Sequence, residues 1–220
     1  GIELAPGADD AAADAPAGVS PEKLAERQDD AAVGQRLAAG DVAGAVALAA
    51  ERVQAQPESL AAHRRYHKAL LRSADAAALA AHGERMIGQL LARGERGEAL
   101  RVWAACHERA PEFALRDGAQ TLALAQAAWA AADANGVLAL LRGFDKRYRG
   151  SARIADAYEL IVRVLVQGLG RAGAAQPVVQ ALQQRYPGSP QAQEAAWVLQ
   201  QFQATRDKQK TPAAGAQTAQ

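Results

Sequence analysis

The sequence has little of four features that would quickly narrow its function. Only 5% of its 220 residues are aromatic, its formal net charge is +1, and it contains one cysteine. The near balance of charge removes the basic excess typical of a general nucleic-acid binder. The lone Cys106 excludes an internal disulfide framework and a cysteine-rich zinc site. No run approaches the roughly 18 consecutive apolar residues that a membrane-spanning helix needs.

Alanine is what the chain has in abundance. It contains 58 alanines, and half of all its residues are hydrophobic. Because alanine favours helices and gives a sheet core little bulk, this composition predicts an all-α protein. The two ends differ from the rest, since they carry too few apolar side chains to offset the entropy lost on ordering. Residues 1–20 are predicted to be a disordered acidic Ala/Pro linker, and residues 205–220 a disordered polar tail.

A repeated arrangement of turn, helix and helix breaker underlies the alanines. In four segments a turn residue is followed 17 positions later by a breaker, with an amphipathic stretch of about four helical turns between them. The pairs are Gly40 and Pro57, Gly94 and Pro111, Asp133 and Gly150, and Gly170 and Pro187. Such agreement at one spacing indicates an internal repeat of helical hairpins.

The second segment identifies the kind of repeat. Gly94, Glu95, Ala99, Trp103 and Pro111 occupy the positions at which the tetratricopeptide repeat has Gly, Asp, Ala, an aromatic residue and Pro. The chain therefore resembles a divergent member of that superfamily, although the third copy is degenerate and the family's first-helix Trp and Leu-Gly pair are missing. The resemblance implies a right-handed superhelical solenoid of stacked antiparallel helix hairpins over residues 21–204, with a concave face that holds partners.

The spacing of the turn residues sets the expected number of helices. Successive turn residues are 54, 39 and 37 positions apart, so the first interval has room for an extra helix within residues 60–72. About ten helices are predicted: 21–39, 42–56, 59–73, 75–93, 95–110, 115–132, 134–148, 152–169, 173–186 and 190–204. The side chains expected to fill the spaces between hairpins are Trp103, Phe113, Trp129, Phe144, Tyr158 and Trp197.

Three local patterns imitate catalytic or cofactor sites. Residues 168–173 spell G-x-G-x-x-G, but a dinucleotide site needs a preceding strand and a later acid, and residues 161–193 contain no Asp or Glu. His63 and His67 share a helix face without an identified third metal ligand, so a solvated or groove-lining face is expected. Cys106 is expected to be a small buried side chain rather than a nucleophile. We therefore predict no catalytic residue, cofactor or metal, and no enzymatic activity.

Two basic groups remain as candidate contact surfaces, one on residues 60–72 and one on residues 142–153. Arginine forks bind carboxylates well, so an acidic peptide or protein is the favoured partner. The alternative is a nucleic acid bound through residues 142–153, where basic side chains cluster around Phe144 and Tyr148. The residues proposed for partner contact are Arg64, Tyr66, His67, Arg101, Arg142, Lys146, Arg147 and Arg153.

These observations favour a non-enzymatic scaffold or adaptor that binds a protein or peptide and takes no small-molecule substrate. Divergent repeats of this kind are common in membrane-linked bacterial proteins. The resemblance therefore suggests the soluble domain of such a protein, cytoplasmic and tethered to the inner membrane by a segment outside residues 1–220. A periplasmic location and self-association through the terminal helices remain open alternatives.

Overall fold

The computed structural model describes residues 20–210, which consist of helices and the turns between them, without a strand. Within that range there are eleven α-helices and one π-helical turn. The helices are α1 (Pro21–Ala38), α2 (Val42–Ala55), α3 (Leu60–Arg72), α4 (Ala76–Ala92), α5 (Arg96–Arg109), α6 (Gly118–Ala130), α7 (Ala134–Leu141), α8 (Phe144–Arg147), α9 (Ile154–Arg163), α10 (Ala172–Arg185) and α11 (Pro190–Lys210), and the π-helical turn is Val164–Gly168. The described residues divide into two compact units, unit 1 (residues 20–73) and unit 2 (residues 74–210).

The all-α prediction is confirmed, and each of the ten predicted helices has a counterpart in the structure. The extra helix expected within residues 60–72 is α3. The predicted helix 134–148 is interrupted at Gly143, whose φ of +63° ends α7 and starts the short α8. The last helix continues to Lys210, beyond the predicted end at residue 204. Residues 1–19 of the predicted linker (1–20) and residues 211–220 of the predicted tail (205–220) lie outside the described residues.

Unit 1 is built from α1, α2 and α3, each of which begins at a side-chain cap. Ser20, Asp41 and Ser59 accept hydrogen bonds from backbone N–H groups in the first turns of these helices. Such caps satisfy donors that the helix itself leaves unpaired. Small residues dominate one buried cluster, which comprises Val33, Ala45, Ala49 and Ala69. Short side chains allow the helix axes to approach closely.

In unit 2 the helices pack mainly against their neighbours along the chain. α4 packs on α5, α6 on α7, and α9, α10 and α11 on one another. The α4–α5 approach is tight, because a Cβ at Gly83 would lie 2.4 Å from Cys106 Sγ. Longer aliphatic side chains fill the cluster around α9–α11, among them Val162, Val179, Leu182 and Leu199.

The turns of the four repeats share a left-handed residue. Gly40, Gly94 and Gly170 have φ values of +78°, +78° and +64°. In the third repeat the residue with positive φ is Ala132, at +58°, whereas Asp133 caps α7 by accepting a hydrogen bond from Gly136 N at 2.8 Å. The prediction that Asp133 is the third turn residue is therefore wrong by one position. With Ala132 in its place, the last three turn residues are 38 positions apart.

The pattern of buried residues also repeats at fixed distances from the turn residues. The fifth and ninth residues after each turn are buried in all four copies, with at most 5% of their surface exposed. They are Ala45, Ala99, Val137 and Ala175 at the fifth position, and Ala49, Trp103, Leu141 and Val179 at the ninth. Each second helix therefore buries the same face.

The six side chains expected between hairpins have different environments. Trp103 and Phe144 are buried, and Phe113, Trp129 and Tyr158 are half-buried. Trp197 is 54% exposed, so its predicted burial is wrong. The reason is its position on α11, where the adjacent Val198 and Leu199 face the core instead.

Candidate partner-binding surfaces

Helix α3 in unit 1 presents two different faces. Arg64 and Lys68 are exposed, whereas His63 and His67 are only 1% and 8% exposed. The expectation of a solvated or groove-lining histidine face is therefore wrong. His63 Nε2 lies 2.8 Å from the carbonyl oxygen of Pro57, so this imidazole ties α3 to the preceding turn. Tyr66 is half-buried and packs against the small-residue cluster of unit 1.

Arg65 connects α3 to α1. It is 5% exposed, and its Nη1 donates to Asp30 Oδ1 at 3.1 Å and to the carbonyl oxygen of Glu26 at 3.4 Å. Its Nη2 lies 3.8 Å from Asp29 Oδ2, and Asp29 also pairs with Arg52 Nε at 3.1 Å. Sequence reasoning placed Arg65 in a basic group without a partner. In the sequence, only the acidic pair at residues 29 and 30 pointed to a partner for Arg65. That pair identifies the partner only when α1 and α3 are known to pack together.

A pocket of about 410 Å³ lies between α1 and α3, and we call it the basic pocket. Its lining is Asp30, Val33, Gly34, Ala61, Arg64, Arg65 and Lys68. Three cationic side chains therefore face one carboxylate and an apolar wall. A Cβ built at Gly34 would meet nothing within 4 Å, so the helix surface at that point is open.

A second pocket of about 440 Å³ lies further toward the start of α1, and we call it the acidic pocket. Its lining is Glu22, Ala25, Glu26, Asp29, Gln56, Pro57, Glu58 and Ser59. Asp29 lines this pocket and Asp30 the basic one, and Arg65 contacts both carboxylates. Unit 1 therefore carries pockets of opposite charge on either side of the Arg65 contact.

The second basic group, on residues 142–153, belongs to unit 2, and one of its members has a structural role. Arg147 Nη2 donates to the carbonyl oxygens of Leu140 and Arg142, at 2.6 and 2.9 Å, and so caps the end of α7. The guanidinium also lies 5.3 Å from the centroid of the Tyr148 ring. These contacts hold α8 against the end of α7.

The two aromatic residues in this group, Phe144 and Tyr148, make contacts within the protein. Phe144 is 1% exposed and meets Tyr148 edge-on, with the ring centroids 4.6 Å apart. The Tyr148 hydroxyl donates to the carbonyl oxygen of Leu115 at 2.6 Å and lies 2.7 Å from Thr121 Oγ1. The buried Phe144 ring offers no face for stacking a base, which weakens one feature that favoured a nucleic acid here.

The remaining predicted contact residues of unit 2 are exposed. Arg101 lies on α5, Arg142 follows α7, and Lys146 lies on α8. Arg153 pairs with Asp156, with 3.4 Å between Nη1 and Oδ2. Arg142 and Arg147 line a small pocket of about 170 Å³. His107, Glu112 and Phe113 also line this pocket.

The catalytic and cofactor patterns have structural explanations. Cys106 is 1% exposed, as expected for a small buried side chain, and burial raises its pKa to about 11. At neutral pH it is therefore a thiol rather than a reactive thiolate. The G-x-G-x-x-G segment follows a helix rather than a strand, and Gly170 forms the turn before α10. Among residues 20–210 no three His, Cys, Asp or Glu side chains are grouped so that they could hold a metal.

Comparison with known proteins identifies no family for this chain. No protein-family model matches the chain, and no curated protein matches it. None of the helices described here combines the length and the apolar character needed to cross a bilayer.

Proposed function

We propose that this protein is a non-enzymatic helical-repeat scaffold, similar in design to the tetratricopeptide repeat, that binds a protein or peptide partner. The observation that carries the proposal is the fourfold agreement of the left-handed turn with burial at the fifth and ninth positions after it. Hairpins that bury equivalent faces stack on one another into a solenoid with an extended concave surface. Such a surface suits a partner that makes many small contacts.

The shifted ionisable groups support an interaction protein rather than an enzyme. Cys106 packs against α4, and Asp41 caps α2. Arg185 donates to Asp145 and to the Tyr158 hydroxyl, at 3.2 and 2.8 Å, and so joins α8, α9 and α10. Perturbed pKa values often mark catalytic sites, but ion-pair and hydrogen-bond networks of the fold also perturb them. Here each of these groups has such a structural contact.

The favoured partner is acidic. Arg64 and Lys68 in unit 1, and Arg101, Arg142 and Lys146 in unit 2, present cationic groups to solvent. Carboxylates satisfy such groups with charge-assisted hydrogen bonds. The exposed cations of residues 142–153 also keep nucleic acid as a second candidate. The proposed link to a bacterial membrane and self-association rest on the resemblance and on general repeat-protein behaviour.

Affinity capture of the full chain from a cell lysate, with and without nuclease, separates these functions. We expect one protein to be retained after nuclease treatment and to bind the purified chain directly with saturation. Charge reversal at Lys68 or Lys146 should weaken that binding, whereas Arg85→Glu, on the exposed side of α4, should not.

Two outcomes would reject the proposal. Recovery of nuclease-sensitive material alone, lost on Lys146→Glu and steeply weakened by salt, would establish the nucleic-acid function instead. Absence of any protein that binds the purified chain at a defined stoichiometry would remove the scaffold function.

A further inference from the structure

We propose that the basic pocket of unit 1 binds carboxylate side chains of an acidic peptide segment, an inference that rests on the proposed function and gives it a specific site. The pocket lies between α1 and α3 and holds about 410 Å³, within the size range of ligand-binding pockets. The ligand class follows from three properties of its lining, namely charge, a fixed arginine and open space.

Charge determines what the pocket attracts. Arg64, Arg65 and Lys68 bring three positive charges to a lining with one carboxylate, Asp30. Arg64 and Lys68 are four residues apart on α3, so they lie on one side of the helix with their Cβ atoms about 6 Å apart. Electrostatic complementarity of this kind contributes specificity and accelerates association.

Arg65 gives the pocket a fixed wall. Its guanidinium is held by Asp30 and by the carbonyl oxygen of Glu26, so it cannot swing into solvent as exposed arginines do. Its Asp29 contact is shared, since Asp29 also pairs with Arg52. Arg65 therefore adds positive charge to the wall of the pocket at a fixed position.

Gly34 supplies the open space. Glycine inside a helix lowers stability relative to alanine, so its presence in the middle of α1 needs a reason. Packing does not provide one, because a Cβ at this position would meet nothing within 4 Å. The missing side chain instead leaves the pocket open beside Val33 and Ala61, whose apolar atoms suit the methylene groups of Glu side chains.

The acidic pocket limits the register of the ligand. Glu22 and Glu26 line it, so it disfavours an acidic chain that extends past Arg65. The acidic segment is therefore confined to the Lys68 side of the Arg65 contact. A free phosphate would need neither this limit nor the apolar wall, which is why the geometry favours a peptide.

The proposal can be tested by titrating the ¹⁵N-labelled full chain with a blocked hexapeptide of four glutamates and two valines. The same peptide with glutamine in place of glutamate is the neutral control, and inorganic phosphate at matched ionic strength is the second probe. We expect saturable amide shifts at Gly34, Ala61 and Lys68 with the acidic peptide only. Lys68→Glu should lower the affinity about tenfold or more, whereas Lys68→Arg should keep it within about threefold.

Gly34→Leu provides an independent variant, because it fills the pocket with a good helix former and leaves every charge in place. It should abolish the shifts at Ala61 and Lys68. Arg85→Glu, the same charge change at an exposed position of α4 in unit 2, should leave the affinity unchanged.

Several results would overturn the proposal. They are equal binding of the glutamine peptide, equal loss on Arg85→Glu, unchanged binding by Gly34→Leu, and saturation by phosphate alone, which would assign the pocket to free phosphate. A chain that binds the acidic peptide here but captures no protein would reject the scaffold function and keep the pocket. The reverse result would reject the pocket and keep the scaffold.

Discussion

The two units achieve helix packing in different ways. In unit 1 the cluster of Val33 and three alanines is small, and the buried Arg65 adds a polar contact between α1 and α3. In unit 2 larger side chains such as Phe144 and Leu182 are buried completely or nearly so. Pockets of about 440 and 410 Å³ lie in unit 1, whereas the pocket beside His107 in unit 2 has about 170 Å³. In unit 1, short side chains and a polar contact leave space for a ligand between α1 and α3.

The largest expected effect comes from deleting a large side chain in unit 2. Phe144→Ala should lower the free energy of unfolding by about 3–5 kcal/mol, because it removes a fully buried ring and leaves a cavity beside Tyr148. Val33→Ala in unit 1 removes only two methyl groups and should cost about 1–2 kcal/mol. Urea unfolding followed by circular dichroism measures both values. Equal costs would show that the two units do not differ in the way their cores stabilise them.

Arg65→Met is the matching test for the polar contact in unit 1. Methionine keeps most of the apolar stem but removes the guanidinium from Asp29 and Asp30, and we expect a loss of about 2–3 kcal/mol. This lies below the usual cost of breaking a buried pair, because Asp30 is 62% exposed and can be solvated again. Amide hydrogen exchange in the second half of α1 measures the effect locally. Unchanged protection there would mean that the arginine does not hold α1.

Two glycines inside helices should respond to alanine with opposite signs. Gly83→Ala places a Cβ 2.4 Å from the buried Cys106 Sγ, so it should destabilise unit 2 by about 1–3 kcal/mol. The second substitution Cys106→Ala should recover part of that loss, because it removes the clashing atom. Gly34→Ala meets open space and should stabilise unit 1 by up to about 1 kcal/mol. Additive effects of Gly83→Ala and Cys106→Ala in a double-mutant cycle would contradict the close contact.

The repeat turns offer a smaller test of the fourfold pattern. Ala132 is the one non-glycine residue with positive φ between residues 20 and 210, and that conformation costs roughly 1 kcal/mol for alanine. Ala132→Gly should therefore raise stability by up to about 1 kcal/mol, and Gly94→Ala should lower it by a similar amount. Thermal unfolding of both variants supplies the comparison. A destabilised Ala132→Gly would show that its left-handed conformation carries no strain.

Turns that contain glycine could be predicted from the sequence, whereas the turn at Ala132 could not. Gly40, Gly94 and Gly170 marked their turns because glycine prefers the positive φ found there. Ala132 gave no such signal, and Asp133 attracted the assignment because Asp is frequent in turns and at helix starts. The helices themselves were predicted well, since alanine content and helix breakers act locally.

The parts of the candidate site that were missed depend on contacts between helices. Burial of His63 and His67, and the contact of Arg65 with residues 29 and 30, arise between residues that are distant in the sequence. Exposure of Trp197 likewise depends on which face of α11 the neighbouring helices cover. Local patterns identify a basic helix, but they do not show which of its cations becomes fixed in a pocket wall.

The smallest expected effect concerns one carboxylate in each unit. A backbone hydrogen bond from Gly44, followed by one from Arg36, lowers the pKa of Asp41 below its ordinary 3.8. For Asp145 burial alone would raise the pKa, but hydrogen bonds from Tyr158 and Arg185 outweigh it and lower the pKa as well. A carboxyl group whose pKa is lower in the folded state stabilises the fold fully above its unfolded pKa. That contribution is lost as the pH falls through the folded pKa, so both units should weaken on acidification.

Carbon-13 titration of the two carboxyl groups separates the causes. Arg185→Gln should raise the pKa of Asp145 and leave that of Asp41 unchanged, because it removes a hydrogen bond in unit 2 alone. Arg36→Gln should raise the pKa of Asp41 only partly, since the larger contribution, the Gly44 N–H, remains at 2.9 Å. If Arg36→Gln returned Asp41 fully to 3.8, the cap of α2 would depend on the arginine rather than on the backbone. The start of α2 would then be stabilised by an ion pair, as the contact between α1 and α3 is at Arg65.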